Sequence, residues 1–195
     1  MEGRRPGRPR SAAAERAILD ATLALLAEHG LEGVTMEAAA ARAGVSKATI
    51  YRRWPSRIEM IGAAFASVDR EVRIVETGNV RDDLVAVVGE FRRATLRPLP
   101  PPAMARMIAM TLATPELREL FIEHVFQPRR AAVIAALQRG QARGEVRTDV
   151  DLDLAFAMTV GPLLLTGLLG QVGVAVAGDL PVRIVDAVLA GLAPR

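Results

Sequence analysis

Apolar residues recur at helical spacing through this chain, and the breaks between the runs fall on glycine and proline. Ser11 is placed to cap a first helix to His29, with Ile18, Leu19, Thr22, Leu23 and Leu26 inward and Gly30 at its end. Met36, Ala39, Ala40 and Ala43 repeat at i, i+3, i+4, i+7 behind Thr35, which predicts a short helix over Met36 to Ala43. Gly44 ends it and Ser46 caps another, which Pro55 stops; a further helix then starts at Ser56, with Ile58, Ile61, Ala64, Phe65 and Val68 at core spacing. Asn79 with Asp82 caps a helix to Arg97 whose core face is Leu84, Val87, Val88 and Phe91. Pro98, Pro100, Pro101 and Pro102 interrupt the chain, and an apolar helix follows from Ala103 to Leu112. Thr114-Pro115-Glu116 starts another with Thr114 as cap; it carries Leu117, Leu120, Phe121, Val125 and Phe126, kinks or restarts at Pro128 and ends near Gly144. Asp149, Asp151 and Asp153 open the uncharged stretch Leu154 to Ala177, and Asp179-Leu180-Pro181 opens a last helix with Val182, Ile184, Val185, Val188, Leu189 and Leu192 apolar. The fold class is all-α.

The pair of helices around Gly44 forms a helix-turn-helix. Two helices joined by about three residues touch at few positions, and those must be small or branched. Ala40 permits close approach, Val45 and Ile50 supply apolar pegs, and Trp54, one turn beyond Ile50, continues the inward face. The opposite face presents Lys47, Ala48, Thr49, Tyr51 and Arg52, a mixture of cation, hydroxyl and phenol suited to phosphate oxygens and base edges. It is the candidate recognition helix.

The stretch VTMEAAAARAGVSKATIYRRWPSRIEMI resembles the N-terminal domain of TetR-family transcriptional regulators, with Thr35, Ala40, Gly44, Val45, Ser46, Thr49, Ile50, Tyr51 and Trp54-Pro55-Ser56-Arg57 where that pattern places them. The resemblance covers about residues 12–65. It implies a three-helix DNA-binding domain followed by a larger helical ligand-binding and dimerisation domain, and a helix after Pro55 that swings when ligand binds. The expected division is a disordered basic arm over 1–11, the DNA-binding domain over 12–56 and the helical body over 57–195. Expected DNA contacts are Thr35, Ser46, Lys47, Ala48, Thr49, Tyr51, Arg52 and Arg57. Lys47 and Tyr51 then position phosphates, while Ala48, Thr49 and Arg52 lie nearest the base edges.

Charge agrees with that division. Residues 1–57 hold 10 Lys and Arg against 6 Asp and Glu, while the other residues hold 15 against 16, so the whole basic excess sits at the DNA-reading end. Arg4, Arg5, Arg8 and Arg10 of the arm are candidates either for a minor groove or for a nonspecific phosphate tether. The chain has no cysteine, and His29 and His124 sit in no metal or catalytic pattern, so neither an enzyme, a metal nor a cofactor is expected. No long apolar run follows the first basic residues, which predicts a cytoplasmic protein.

Two features of the body carry alternatives. Phe91, Met104, Met107, Phe121, His124, Phe156 and Met158 are the candidate lining of an apolar cavity for a small, hydrophobic effector of unknown identity. The methionines serve equally as core filler, and His124 and Gln127 either face a cavity or solvent. The uncharged run from Leu154 to Ala177 is long enough for a membrane span. It is diluted by Gly161, Pro162, Gly167, Gly170, Gln171 and Gly173 and flanked by acidic residues, which favours burial against a partner subunit, with no membrane. The resemblance implies a homodimer in which the last two long helices pair with their symmetry mates, here through Leu163, Leu164, Leu168, Leu169, Val185, Val188 and Leu189, matching a palindromic double-stranded DNA operator. The alternative function is a small-molecule-binding or sequestering helical protein without sequence-specific DNA binding.

Overall fold

A computed structural model describes residues 8–68, 76–96, 101–169 and 179–193. Among the described residues there are ten α-helices and no strand: α1 Arg8–Gly33, α2 Met36–Ala43, α3 Lys47–Tyr51, α4 Arg57–Val68, α5 Val80–Leu96, α6 Pro101–Ala113, α7 Pro115–Phe121, α8 Gln127–Ala142, α9 Leu152–Leu169 and α10 Leu180–Leu192. A π-helical turn, Ile122–Phe126, joins α7 to α8.

Helix α1 starts three residues before the expected cap, so Ser11 lies inside it and residues 8–11 of the expected disordered arm are helical. Pro9 does not prevent this, because a first-turn residue has no intrahelical partner for the N–H that proline lacks. Arg4 and Arg5 lie outside the described residues, as do the side chains of Arg8 and Arg10. Ile18, Leu19, Thr22, Leu23 and Leu26 are buried as the spacing predicts, and the Thr22 hydroxyl is satisfied by donating to the Ile18 carbonyl at 2.8 Å. Gly30 breaks the helix at φ 73°, a left-handed backbone that favours glycine, and a Cβ there would lie 3.0 Å from Met110 Sδ on α6.

The first core joins α1, α2, Ile50, Trp54 and α4 to Met107, Leu117 and Val125 of the later helices. On α4 the buried set is Met60, Ile61, Ala64 and Phe65; Ile58, expected inward, is 38% exposed. Neighbours on two sides, α1 and the α7–π segment, require a stripe that includes adjacent positions, and the first-turn Ile58 falls outside it.

Pro101 and Pro102 open α6 where an interruption was expected, since the first turn tolerates proline; Pro98 and Pro100 lie outside the described residues. Thr114 has the extended backbone of a cap before Pro115, but its hydroxyl makes no cap bond. Pro128 removes an N–H and crowds the carbonyl four residues back, and the chain passes this point through the π turn without a break.

The second core is formed by α5, α8, α9 and α10 around Leu84, Val87, Phe91, Leu137 and Val185. Asn79 and Asp82 cap α5 reciprocally: the Asp82 N–H donates to Asn79 Oδ1 at 2.8 Å, and Asn79 Nδ2 donates to Asp82 Oδ2 at 2.9 Å. Beside them lies a buried anion with no sequence signature. Asp83 is fully buried and accepts from the Thr77 N–H at 2.6 Å, the Thr77 hydroxyl at 2.8 Å and Arg139 Nη2 at 3.3 Å. On α9, Asp151 caps through the N–H groups of Asp153 and Leu154, at 2.9 and 3.1 Å. The uncharged run is helical to Leu169, residues 170–178 lie outside the described residues, and no described helix is long and apolar enough to cross a membrane.

Burial pushes the Asp83 carboxyl up, but the two Thr77 bonds and then the Arg139 guanidinium outweigh it, so the group titrates below the ordinary aspartate value of 3.8. The stabilisation is therefore complete above that value and is lost as pH falls through the lower, folded-state value. Asp83→Asn should cost about 2–3 kcal/mol in urea unfolding at pH 7, because it leaves Arg139 facing a neutral partner. The variant should also lose less stability than the parent when unfolding is repeated below pH ~4. An unchanged urea midpoint at pH 7 would contradict the assignment.

Candidate nucleic-acid interface

The Thr35 hydroxyl accepts the Ala38 N–H at 3.0 Å and fixes the start of α2. Gly44 ends that helix at φ 66°, ψ 32°, a left-handed conformation natural to glycine, and the Val45 N–H then closes on the Ala40 carbonyl at 3.0 Å. The Ser46 hydroxyl accepts the Thr49 N–H at 3.3 Å and starts α3. Ala40 and Ile50 are 3% and 0% exposed, so the two helices meet on the small and branched pair that the pattern requires. Trp54 is buried at 9%, with its N–H held by the Ile50 carbonyl at 2.9 Å.

With that face sealed, α3 and the turn after it present Lys47, Ala48, Tyr51 and Arg52 outward, Tyr51 at 50% exposure, with Thr49 half-buried beside Ser46. The Ser46 and Thr49 hydroxyls lie 2.9 Å apart and share a hydrogen bond. Thr35 is exposed at the head of α2. Lys47 Nζ lies 3.2 Å from Glu37 Oε1. Arg57 is half-buried and turns toward α1, donating to the Leu31 carbonyl at 3.4 Å.

Three ionic contacts escaped the sequence reading. Arg53 Nη1 pairs with Glu15 Oε2 at 2.7 Å and ties the exit of α3 to α1; Arg42 Nη2 donates to Glu28 Oε1 at 2.6 Å; and Glu37 holds Lys47. Each joins separate helices, and no periodicity within one helix announces such a partner.

Residues 18–64 match the sequence profile of bacterial regulatory proteins of the tetR family, and residues 74–188 that of the tetracyclin repressor-like C-terminal domain. YdeS, an uncharacterized HTH-type transcriptional regulator of Bacillus subtilis, is 33% identical over 172 residues, 86% of this chain and 86% of YdeS. The chain belongs to the TetR family of transcriptional regulators. A second relative, the DNA-binding transcriptional repressor TetR of Mycobacteroides abscessus, is 35% identical over 167 residues, 83% of this chain and 85% of its own. The crystal structure of the TetR family transcription regulator SCO0332 superposes with a TM-score of 0.65 at 26% identity, over 93% of this chain and 99% of SCO0332.

In the body of this TetR-family chain the expected cavity residues fall in different places. Met107 and Phe121 belong to the first core; Phe91 and Phe156 belong to the second, where Arg129 lies over the Phe91 ring at 5.0 Å. Met158 is 48% exposed and does not line the interior, since it follows the outward face of α9; the Met104 side chain lies outside the described residues. His124, on the π turn, is half-buried against α4: a Cβ on Gly62 would lie 3.0 Å from its Nε2. Gln127 is exposed.

The expected dimer residues also need correction. Val185 and Val188 are 0% and 4% exposed in the chain's own second core, because α10 turns its apolar stripe toward α5. Leu163 and Leu189 are half-buried against the same core, Leu164 is at the exposed margin, and the side chains of Leu168 and Leu169 lie outside the described residues. Among the described side chains of α9 the exposed large apolar residues are Leu154, Met158, Leu164 and Leu165, of which Leu164 belongs to the expected set.

Trp54→Ala should cost about 3–5 kcal/mol of unfolding free energy, as the loss of a buried indole does. Gly44→Ala has open space for its methyl group and should cost about 1–2 kcal/mol from the left-handed backbone alone. Chemical denaturation of both variants checks the order; a Gly44→Ala loss equal to that of Trp54→Ala would place an unseen contact at the turn.

Proposed function

We propose that this TetR-family regulator acts as a homodimeric repressor that holds a palindromic operator and is released by a small hydrophobic ligand. The observation that carries the reading is the exposed surface of Lys47, Ala48, Tyr51 and Arg52, backed by Ile50 buried on the other side of α3 and Trp54 buried just beyond the helix. In this reading Thr35, Ser46, Lys47, Tyr51 and Arg57 position phosphates, and Ala48, Thr49 and Arg52 read base edges. The similarity to a DNA-binding transcriptional repressor over most of both chains supports repression.

Dimerisation rests on α9. Leu154, Met158 and Leu165 follow one another at i, i+4 and i+11 with Gly161 between them, and all three large side chains are about half exposed. Such a stripe is costly in water and suits a second copy related by a two-fold axis, which in turn suits a two-fold operator. Ligand release rests on the contact between α4 and the π turn. A ligand entering beside His124 and Phe121 displaces Gly62 and α4, and α4 directly follows the recognition helix.

Selection of bound sites from a random duplex pool should recover a palindrome whose half-sites lie about one helical turn or more apart. On the recovered site Tyr51→Phe should weaken binding to all sequences, and Arg52→Ala should relax one position by about 1–3 kcal/mol. No enriched motif would return the reading to a small-molecule sequestering protein. Met158→Glu should convert a dimer to a monomer in sedimentation; a variant that sediments like the parent would move the interface away from this face of α9.

A further inference from the structure

The first turn of α2 places a carboxylate on the surface that the proposed function assigns to DNA. Glu37 is exposed, two residues beyond the Thr35 cap, and its Oε1 lies 3.2 Å from Lys47 Nζ across the helix-turn-helix crossing. Its carboxyl is held below the ordinary range by a backbone N–H and then by Lys47. One anion of the protein therefore engages Lys47, a side chain assigned to phosphate positioning, and it does so at the positive end of a helix, where anions bind well. The pair is solvent-exposed on both sides, 63% for Lys47 and 50% for Glu37, so it contributes little to folding.

We propose that Glu37 is an internal competitor of DNA phosphate, a residue that sets the affinity for duplex because its carboxylate must be exchanged for a backbone phosphate at Lys47 before the protein seats. The inference rests on the DNA face of the proposed function. Its physical content is counterion accounting. The carboxylate that Lys47 leaves takes up a cation from solution, which offsets the counterion that Lys47 releases from DNA, so the affinity for duplex and the salt dependence of that affinity are both lowered. Base contacts do not pass through Lys47 or Tyr51, so they survive the exchange. The absolute occupancy of random DNA falls while the reading of bases is kept.

The test measures binding of the full chain to a random-sequence duplex from 50 to 200 mM salt. Glu37→Gln keeps the shape and removes the charge; it should bind about threefold or more tightly at 50 mM, with a salt slope steeper by about 0.9, so that its advantage shrinks about 3.5-fold by 200 mM. Glu32→Gln removes the same charge from another exposed position in the same half of the chain and should show a smaller gain with the parent's slope. In a Lys47→Ala background, Glu37→Gln should lose its effect on the slope. Binding of Glu37→Gln that matches the parent, matches Glu32→Gln or is weaker would overturn the inference, the last result making Glu37 an organiser of Lys47 rather than its competitor. Failure of the underlying reading looks different: parent binding would then be unchanged by both Lys47→Ala and Tyr51→Phe.

Discussion

Helix α4 buries Met60, Ile61, Ala64 and Phe65 to 1% exposure or less between α1 on one side and the α7–π segment on the other. No other arrangement follows as directly from the physical chemistry of the chain. A helix with apolar residues at adjacent as well as alternate turns cannot satisfy them against a single partner. The first core is therefore shared: Met107, Leu117 and Val125, from beyond residue 100, close it against helices that begin near the N-terminus. Phe121 meets Phe65 edge to face at 6.2 Å, and Gly62 lets the π turn approach. The recognition helix is joined to α4 by Trp54, Pro55 and Ser56, so its placement depends on a core that the body helps to build.

Electrostatics is divided by depth. Asp83 is buried and fully engaged by Thr77 and Arg139, so it helps hold the start of α5 against α8. Other ion pairs join the exposed surfaces of separate helices, among them Arg81 to Asp186, Arg42 to Glu28 and Lys47 to Glu37. Pairs of that kind contribute little to stability each and are easily exchanged. Around the recognition helix this matters more than their energy, because a cation available to phosphate in sequence is, in the folded chain, also available to a neighbouring carboxylate.

What could be read directly were features governed by neighbours within about four residues. The caps at Thr35, Ser46 and Asn79, the left-handed turn at Gly44 and the inward faces of α1, α2 and α5 all follow from local hydrogen bonding and helical spacing. Where local rules met permissive exceptions, the reading drifted: prolines placed outside helices proved to sit in the first turns of α1 and α6, where the missing N–H has no consequence.

The sequence by itself thus determined the all-α class, the helix-turn-helix and the polar surface opposite Ile50 and Trp54. Only the tertiary structure decided which apolar faces meet. It turned Val185 and Val188 into the chain's own core and left Leu154, Met158 and Leu165 outside it. It also paired Glu15 with Arg53 and Glu37 with Lys47. The reason is that helical periodicity specifies a buried face but not the partner that buries it, and a charge carries no mark of the helix that will cross beside it.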